Sequence, residues 1–224
     1  MDKLCYIFLY FVFYSIIGYV CEVFYVYLGD KKWVNRGFLH GPYIPIYGNG
    51  AMIVSLALMH VKKDSFIIFL VGLVLCSLLE YITSYVMEKI FHNRWWDYSE
   101  RKYNLNGRVC LQNSVLFGLG SVAIIYVFNP LFNKLYNALG FKIALYVAIV
   151  LFIIMLVDFS ISFFEAIKVS NIASHLDKFM EEFEKKKEST KRIKIRLMEA
   201  YPYLVKRNFK FLDKIKNYKK KSKN

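Results

Sequence analysis

The sequence is poor in cysteine, histidine, proline and acid. Four cysteines stand in 224 residues, at positions 5, 21, 76 and 110. They show no CxxC spacing, which excludes a disulfide framework and a thiolate metal knuckle. Of the four histidines, no two have ligand spacing, so no metal site is expected. No GxxxxGK[ST] run occurs, which excludes a nucleotide-binding P-loop of its own. No nucleophile or cofactor motif is present either, so no cofactor is expected and the chain leans away from an enzyme. Only four prolines interrupt it, and two of these, Pro42 and Pro45, fall together. Asp and Glu number 17 against 31 Lys and Arg, a net charge of +14.

What is abundant is apolar. Hydrophobic residues make up 57% of the chain, with 20 Phe and 18 Tyr. Soluble domains carry roughly 45–50%, so this much apolar surface needs lipid. Four segments are long enough to cross a hydrocarbon core of roughly 30 Å: residues 4–28, 66–91, 114–132 and 141–164. The first resembles a signal peptide, but its apolar run is too long and no cleavage site follows before Glu22, so it reads as a retained span. A fifth segment, 43–61, is weaker. Its first half, PYIPIYGNG, is dense in Pro and Gly, and only Ala51–Met59 is cleanly apolar. These segments predict an all-α, polytopic membrane bundle of about five transmembrane helices over residues 1–168.

Positive charge orients the bundle, because cytoplasmic loops are enriched in Lys and Arg. With five spans, the N-terminus lies outside and the C-terminus in the cytoplasm, and 26 basic residues fall inside against 5 outside. If residues 43–61 are instead re-entrant, four spans remain and the split is 24 to 7. Charge barely separates the two, and five is preferred because 43–61 is just long enough to cross and ends at a Lys-Lys pair. The tail, 169–224, carries most of the excess, 18 Lys/Arg against 7 Asp/Glu from Ala166 onward. Ile172, Leu176, Phe179 and Phe183 recur at helical spacing within it. Such a basic amphipathic tail fits the anionic inner leaflet, a partner helix or its own domain. Nucleic acid is a poor partner, as no nucleic-acid fold signature accompanies the charge.

Charges inside apolar helices are expensive and tend to mark function. Glu22, late in the first span, shares a helical face with Tyr14, Gly18 and Tyr25. Glu80 shares one with Thr83, Ser84 and Met87. Asp158 and Glu165 sit late in the last span. In the five-span arrangement all four lie in the cytoplasmic half, where the inner loops add Arg36, His40, Arg94, Asp97, Arg101 and Arg108. A polar cluster of Glu22, Arg36, His40, Glu80, Asp97, Asn106, Arg108 and Asn113 is therefore expected there, with Arg36 and Arg108 as the cations for the acids. The alternative for each acid is a buried salt bridge that fixes helix register. Two loops shape this region. WVNRGFLHGPYIPIYGNG, from Trp33 to Gly50, carries Gly37, Gly41, Pro42, Pro45 and Gly48. RWWDYSERKYNLNGRVCLQNSVLFG, from Arg94 to Gly118, carries Gly107 and reads as a folded inner loop dipping toward Glu22 and Glu80. Trp33, Trp95 and Trp96 suit the headgroup belt.

These two stretches, with YSIIGYVCEVFYVYL and LLEYITSYVMEKIF, resemble the CmpB family of bacterial multi-pass membrane proteins. The resemblance covers Tyr14 to Gly120, with several unusual motifs in the family's order. It implies a polytopic membrane fold and an ABC-type transport role, but supplies no catalytic or transport residues. An ABC role implies a separate ATPase subunit, and a homo-oligomer would enlarge so small a permease. Three functions are compatible with the residues: a permease-like transport component, which is preferred; a membrane enzyme acting on a lipid or lipid-linked substrate at the inner face; and a non-catalytic scaffold or sensor working through the tail.

Overall fold

The computed structural model of the chain describes residues 2–31, 33–58, 64–91 and 94–174. Its elements in order are α1 (Asp2–Asp30), α2 (Pro45–Ala57), α3 (Ser65–Phe91), a small hairpin of β1 (Asn104–Leu105) and β2 (Val109–Cys110), α4 (Leu111–Ala123), a π-helical turn (Ile124–Phe128) and α5 (Asn129–Ser174). The expected tail helices beyond residue 174 lie outside the described residues.

Three helical stretches, Asp2–Gly29, Ser65–Phe91 and Leu111–Lys168, are long and apolar enough to cross a membrane. In the latter two, only 17% of the most apolar window is buried within the bundle. The remainder, including Val74, Tyr146 and Phe164, faces outward, as helices in contact with lipid do. The third stretch is divided at Gly140, whose φ of 69° and ψ of 154° break the helix into two arms, 129–139 and 141–174.

Contacts fix the relative directions. Tyr6 packs on Tyr136, Tyr10 on Phe132 and Tyr14 on Phe128, so α1 runs antiparallel to the helix ending at 139. Phe8 meets Phe152, and Val12 shares a cluster with Met155, so the returning arm of α5 runs parallel to α1. α3 and α4 are antiparallel, with Gly118 against Phe69 and Ser77 hydrogen-bonded to Ser114 at 2.6 Å. Phe38 touches Phe91, Trp95 and Phe159, and Phe91 touches Phe163. The 33–44 loop, the end of α3, the hairpin segment and the end of α5 thus gather at one end of the bundle. The start of α3 lies near Leu58 at the other, where Asp64 Oδ1 caps it by accepting from the Phe66 amide at 2.8 Å.

The second apolar segment differs from its reading in sequence. The helix is unbroken from Pro45, which sits at the first position, where its missing N–H costs nothing. Gly48 lies inside it because α1 presses close, and Gly50 faces α3. A Cβ on Gly48 would overlap Ser15 Oγ and lie 2.5 Å from the Phe11 carbonyl of α1, and one on Gly50 would touch Cys76 and Leu79 of α3. Reciprocally, Gly18 of α1 leaves room for the Tyr47 ring. Small residues at both faces let the backbones approach, the usual basis of helix association in lipid. The irregular backbone is instead the preceding 33–44 loop, whose last amide, Ile44 N, donates to Ser15 O at 2.9 Å.

The π turn also has a local cause. Pro130 has no N–H and would clash with the carbonyl four residues back. Widening the preceding turn, with Asn129 N donating to Ile124 O, accommodates it.

Gly48→Ala should lower stability by about 1–3 kcal/mol, the usual cost of overpacking. Gly120→Ala, whose Cβ would meet nothing within 4 Å, should be near neutral. Melting of the two detergent-solubilised variants measures the difference, and equal melting temperatures would contradict this packing.

Candidate functional site

Positions 10, 14, 18 and 22 of α1 fall on one helical face. At its far end, Tyr47 of α2 lies over Gly18 and donates its hydroxyl to Glu22 Oε2 at 2.7 Å. Glu80 of α3 is 6% exposed, and its Oε1 accepts from the Tyr98 hydroxyl at 3.1 Å. Its Oε2 is buried with no hydrogen-bond partner. The Glu22 charge reaches Glu80 and both phenols, so the four groups lie near one another. Neither carboxylate meets a Lys, Arg or His among the described residues. Burial pushes the Tyr98 phenol far above its ordinary range, and the Glu80 and Glu22 charges push it the same way, so Tyr98 remains a proton donor at any working pH.

The hairpin that carries Tyr98 inward is built locally. Asn106 and Gly107 both take left-handed φ, 54° and 68°, and close a turn with Arg108 N donating to Leu105 O at 3.0 Å. Asn-Gly is the dipeptide that favours such turns. A side chain at 107 would also overlap Ser99 Oγ and the Asp97 carboxylate. Tyr98 N donates to Gly107 O at 2.7 Å, which ties the segment before the hairpin to its tip.

Arg108 fastens the hairpin to α3. Its guanidinium donates to Glu88 Oε2 at 2.6 Å and to Ser84 Oγ at 3.2 Å, and lies over the Tyr81 and Tyr85 rings. Arg94 donates to the same Glu88 oxygen at 3.1 Å and to Asn106 O at 3.1 Å. Arg108, expected as a cation for the membrane acids, pairs instead with Glu88, two turns beyond Glu80. Asp97 lies 3.9 Å from Arg94 and accepts from Ser99 N and Ser99 Oγ, so it shapes the turn. Asn106 donates to the Tyr81 hydroxyl at 3.0 Å, and the indole of Trp96 donates to Arg108 O at 3.0 Å.

A separate group holds the 33–44 loop. Asp158 of α5 accepts from His40 N at 3.0 Å, Gly41 N at 2.8 Å and the Tyr43 hydroxyl at 2.7 Å. His40 Nδ1 lies 3.1 Å from Asp158 Oδ1 and 2.8 Å from Ser162 Oγ, while its Nε2 lies 3.2 Å from Glu165. Gly37 N donates to Asn35 Oδ1 at 2.9 Å, and Asn35 Nδ2 to His40 O at 3.1 Å. Arg36 is half-buried within this loop. Pro42 follows Gly41 and leads the chain toward Pro45. Trp33 is exposed and stacks on Tyr27 with ring centroids 4.5 Å apart, whereas Trp95 is buried against Phe38 and Phe91. Asn113 stands in the first turn of α4, outside these groups.

The structure therefore brings Glu22 to Glu80, and Asn106 to Arg108, but sets His40 on a different acid. Sequence reasoning missed Tyr47, Tyr98 and Glu88. It also missed a network on the same face of α1 toward the opposite end. There the Tyr10 and Tyr14 hydroxyls donate to Asn129 Oδ1 at 2.7 and 2.6 Å, and Asn129 Nδ2 donates to Ser55 at 3.2 Å. An Asn-Pro pair inside an apolar run was the available signal for Asn129. Among the described residues no group of three or more His, Cys, Asp or Glu could hold a metal ion.

The family model described as "Putative ABC-transporter type IV" matches residues 9–163, from the first turns of α1 into the last helix. No curated protein and no solved structure matches the chain.

Asp158→Asn places an amide against two backbone donors and should cost about 1–3 kcal/mol in local stability, with Tyr43→Phe costing about 1 kcal/mol. Hydrogen exchange at His40, Gly41 and Ile44 should rise in both variants and more in the first. Unchanged exchange would remove Asp158 as the anchor of the loop.

Proposed function

The chain belongs to the CmpB family, and on that premise we propose that it is the permease-like membrane component of a transporter, with its solute-handling groups around Glu22 and Glu80. One observation carries this reading. Two carboxylates near one another among apolar helices have phenols as side-chain donors and no Lys, Arg or His beside them among the described residues, and Glu80 keeps one oxygen unpartnered. Ionisable groups at such depth are costly, and in membrane proteins they line ion and substrate paths. A purely structural role would favour a cation beside each acid, as Glu88 has in Arg94 and Arg108.

The chain crosses the bilayer five times in this reading. Support comes from Phe38 lying against Phe91 and Trp95, because a re-entrant second segment would send the 33–44 loop and the 94–110 segment to opposite sides. α2 itself is about 20 Å long at 1.5 Å per residue, so the 33–44 loop completes the crossing. The excess of Lys and Arg assigns the end that gathers this loop and the hairpin to the cytoplasm, together with the C-terminus. On that side the basic tail meets anionic lipid. A separate ATPase supplies the energy of an ABC-type cycle, since this sequence has no P-loop, and a second copy enlarges the path.

In membranes carrying the chain, Glu22→Gln and Glu80→Gln should each reduce solute flux at least about tenfold, the effect of losing one strong polar contact. Flux undiminished in both variants would reject the site. A cysteine replacing His40 in a cysteine-free background should react with a membrane-impermeant maleimide only after the cells are opened. Labelling of intact cells would reject five crossings.

A further inference from the structure

We propose that Glu22 and Glu80, with the Tyr47 and Tyr98 hydroxyls, form a binding site for one monovalent cation; the proposal rests on the transport reading for its role, but not for its chemistry. Four observations converge. The first is charge. Four other acids at this end of the bundle have positive or backbone partners. Glu88 has Arg94 and Arg108, Asp97 has Arg94, Asp158 has His40 and two backbone amides, and Glu165 has His40. Glu22 and Glu80 have no such cation among the described residues, and Glu80, which lies under the Glu22 charge, calls for a positive charge beside it.

The second is an orphaned atom. Glu80 Oε2 is buried, has no hydrogen-bond partner, and belongs to a residue only 6% exposed. Buried polar atoms in native proteins are almost always satisfied, so a ligand or proton is the missing partner. The third is the donor set. Each phenol engages one oxygen of its carboxylate, Tyr47 on Glu22 Oε2 and Tyr98 on Glu80 Oε1, which leaves the other two oxygens for the ligand. The ligands are all oxygen, with none of the nitrogen or sulfur donors that transition metals favour. The fourth is access. Glu22 is half-buried while Glu80 is buried, so the pair has an outer and an inner member.

The shared chemistry is a single hard positive charge: a proton, an alkali ion or a primary ammonium. Tyr98 gives the site a mechanical link, since it belongs to the hairpin segment held by Arg108. A cation that draws on Glu80 competes for the same carboxylate and so senses the hairpin's position.

The test uses the full chain in lipid nanodiscs, buffered with N-methylglucamine. Na+, K+ and methylammonium are titrated at fixed ionic strength, and pH is varied in a fourth arm. One arm should raise the melting temperature saturably, by about 5 °C at a hundredfold excess over the dissociation constant. The arm that responds identifies the cation. Glu22→Gln and Glu80→Gln should abolish the response, and the exposed Glu100→Gln should keep it. Should either site variant fail to fold, Tyr98→Phe keeps the ring and should weaken apparent affinity at least about threefold, through loss of one hydrogen bond. No response in any arm, or one that persists in the variants, overturns the proposal. Solute flux that depends on the acids without a cation response also overturns it while leaving the transport reading intact. A cation response without solute flux upholds it and removes the transport reading instead.

Discussion

The arrangement of this bundle depends on how one carboxylate satisfies a stretch of non-helical backbone. Between α1 and α2 the chain returns through the bundle without a helix to pair its amides, a situation that lipid does not tolerate. Asp158 answers it by accepting from His40 N, Gly41 N and the Tyr43 hydroxyl, and Ser15 O accepts from Ile44 N. Because the loop is held there, Pro45 can open α2 at the level of Gly18. Because α2 opens there, Tyr47 falls on Glu22. The acid that fixes the loop and the acid that faces the phenol are parts of one construction, although no atom joins them.

Polar groups within the bundle accordingly divide by how completely they are satisfied. The Asn129 network and the Asp158 group are closed sets in which donors meet acceptors. The Arg108–Glu88–Arg94 group matches charge with charge and pins the hairpin to α3. The Glu22–Glu80 pair meets phenols but no cation among the described residues, and Glu80 Oε2 has no donor. A low-dielectric interior magnifies this difference, since satisfied networks rigidify while an unmatched charge remains costly. Rigid, matched groups on either side of an unmatched pair hold its geometry and leave its chemistry open.

Much of this was legible in the sequence because membranes impose simple rules. Runs without Pro or charge marked the long helices, and Glu22 and Glu80 stood out because acids inside such runs have few bland explanations. Their phenol partners did not stand out. In a chain with 18 tyrosines, nothing separates Tyr47 and Tyr98 from those that pack or float at the headgroups. Arg108 was seen as a cation but matched to the wrong acids, because the hairpin that aims it at Glu88 was not recognised, though Asn106-Gly107 signalled its turn. The Gly and Pro density of PYIPIYGNG made the second segment read as a weaker span. Gly48 instead answers to Phe11 and Ser15, long-range neighbours that no local pattern reveals.

Gly140 carries a consequence for the shape of the whole. A single residue reverses a stretch of 58, so the chain gives up almost no length to that turn. Only residues 58–64 separate α2 from α3 at the same end. At the opposite end lie a twelve-residue loop, a hairpin and the origin of the tail. The connections are therefore strongly lopsided: a short link joins α2 to α3 at one end, and the folded loop and the hairpin gather at the other.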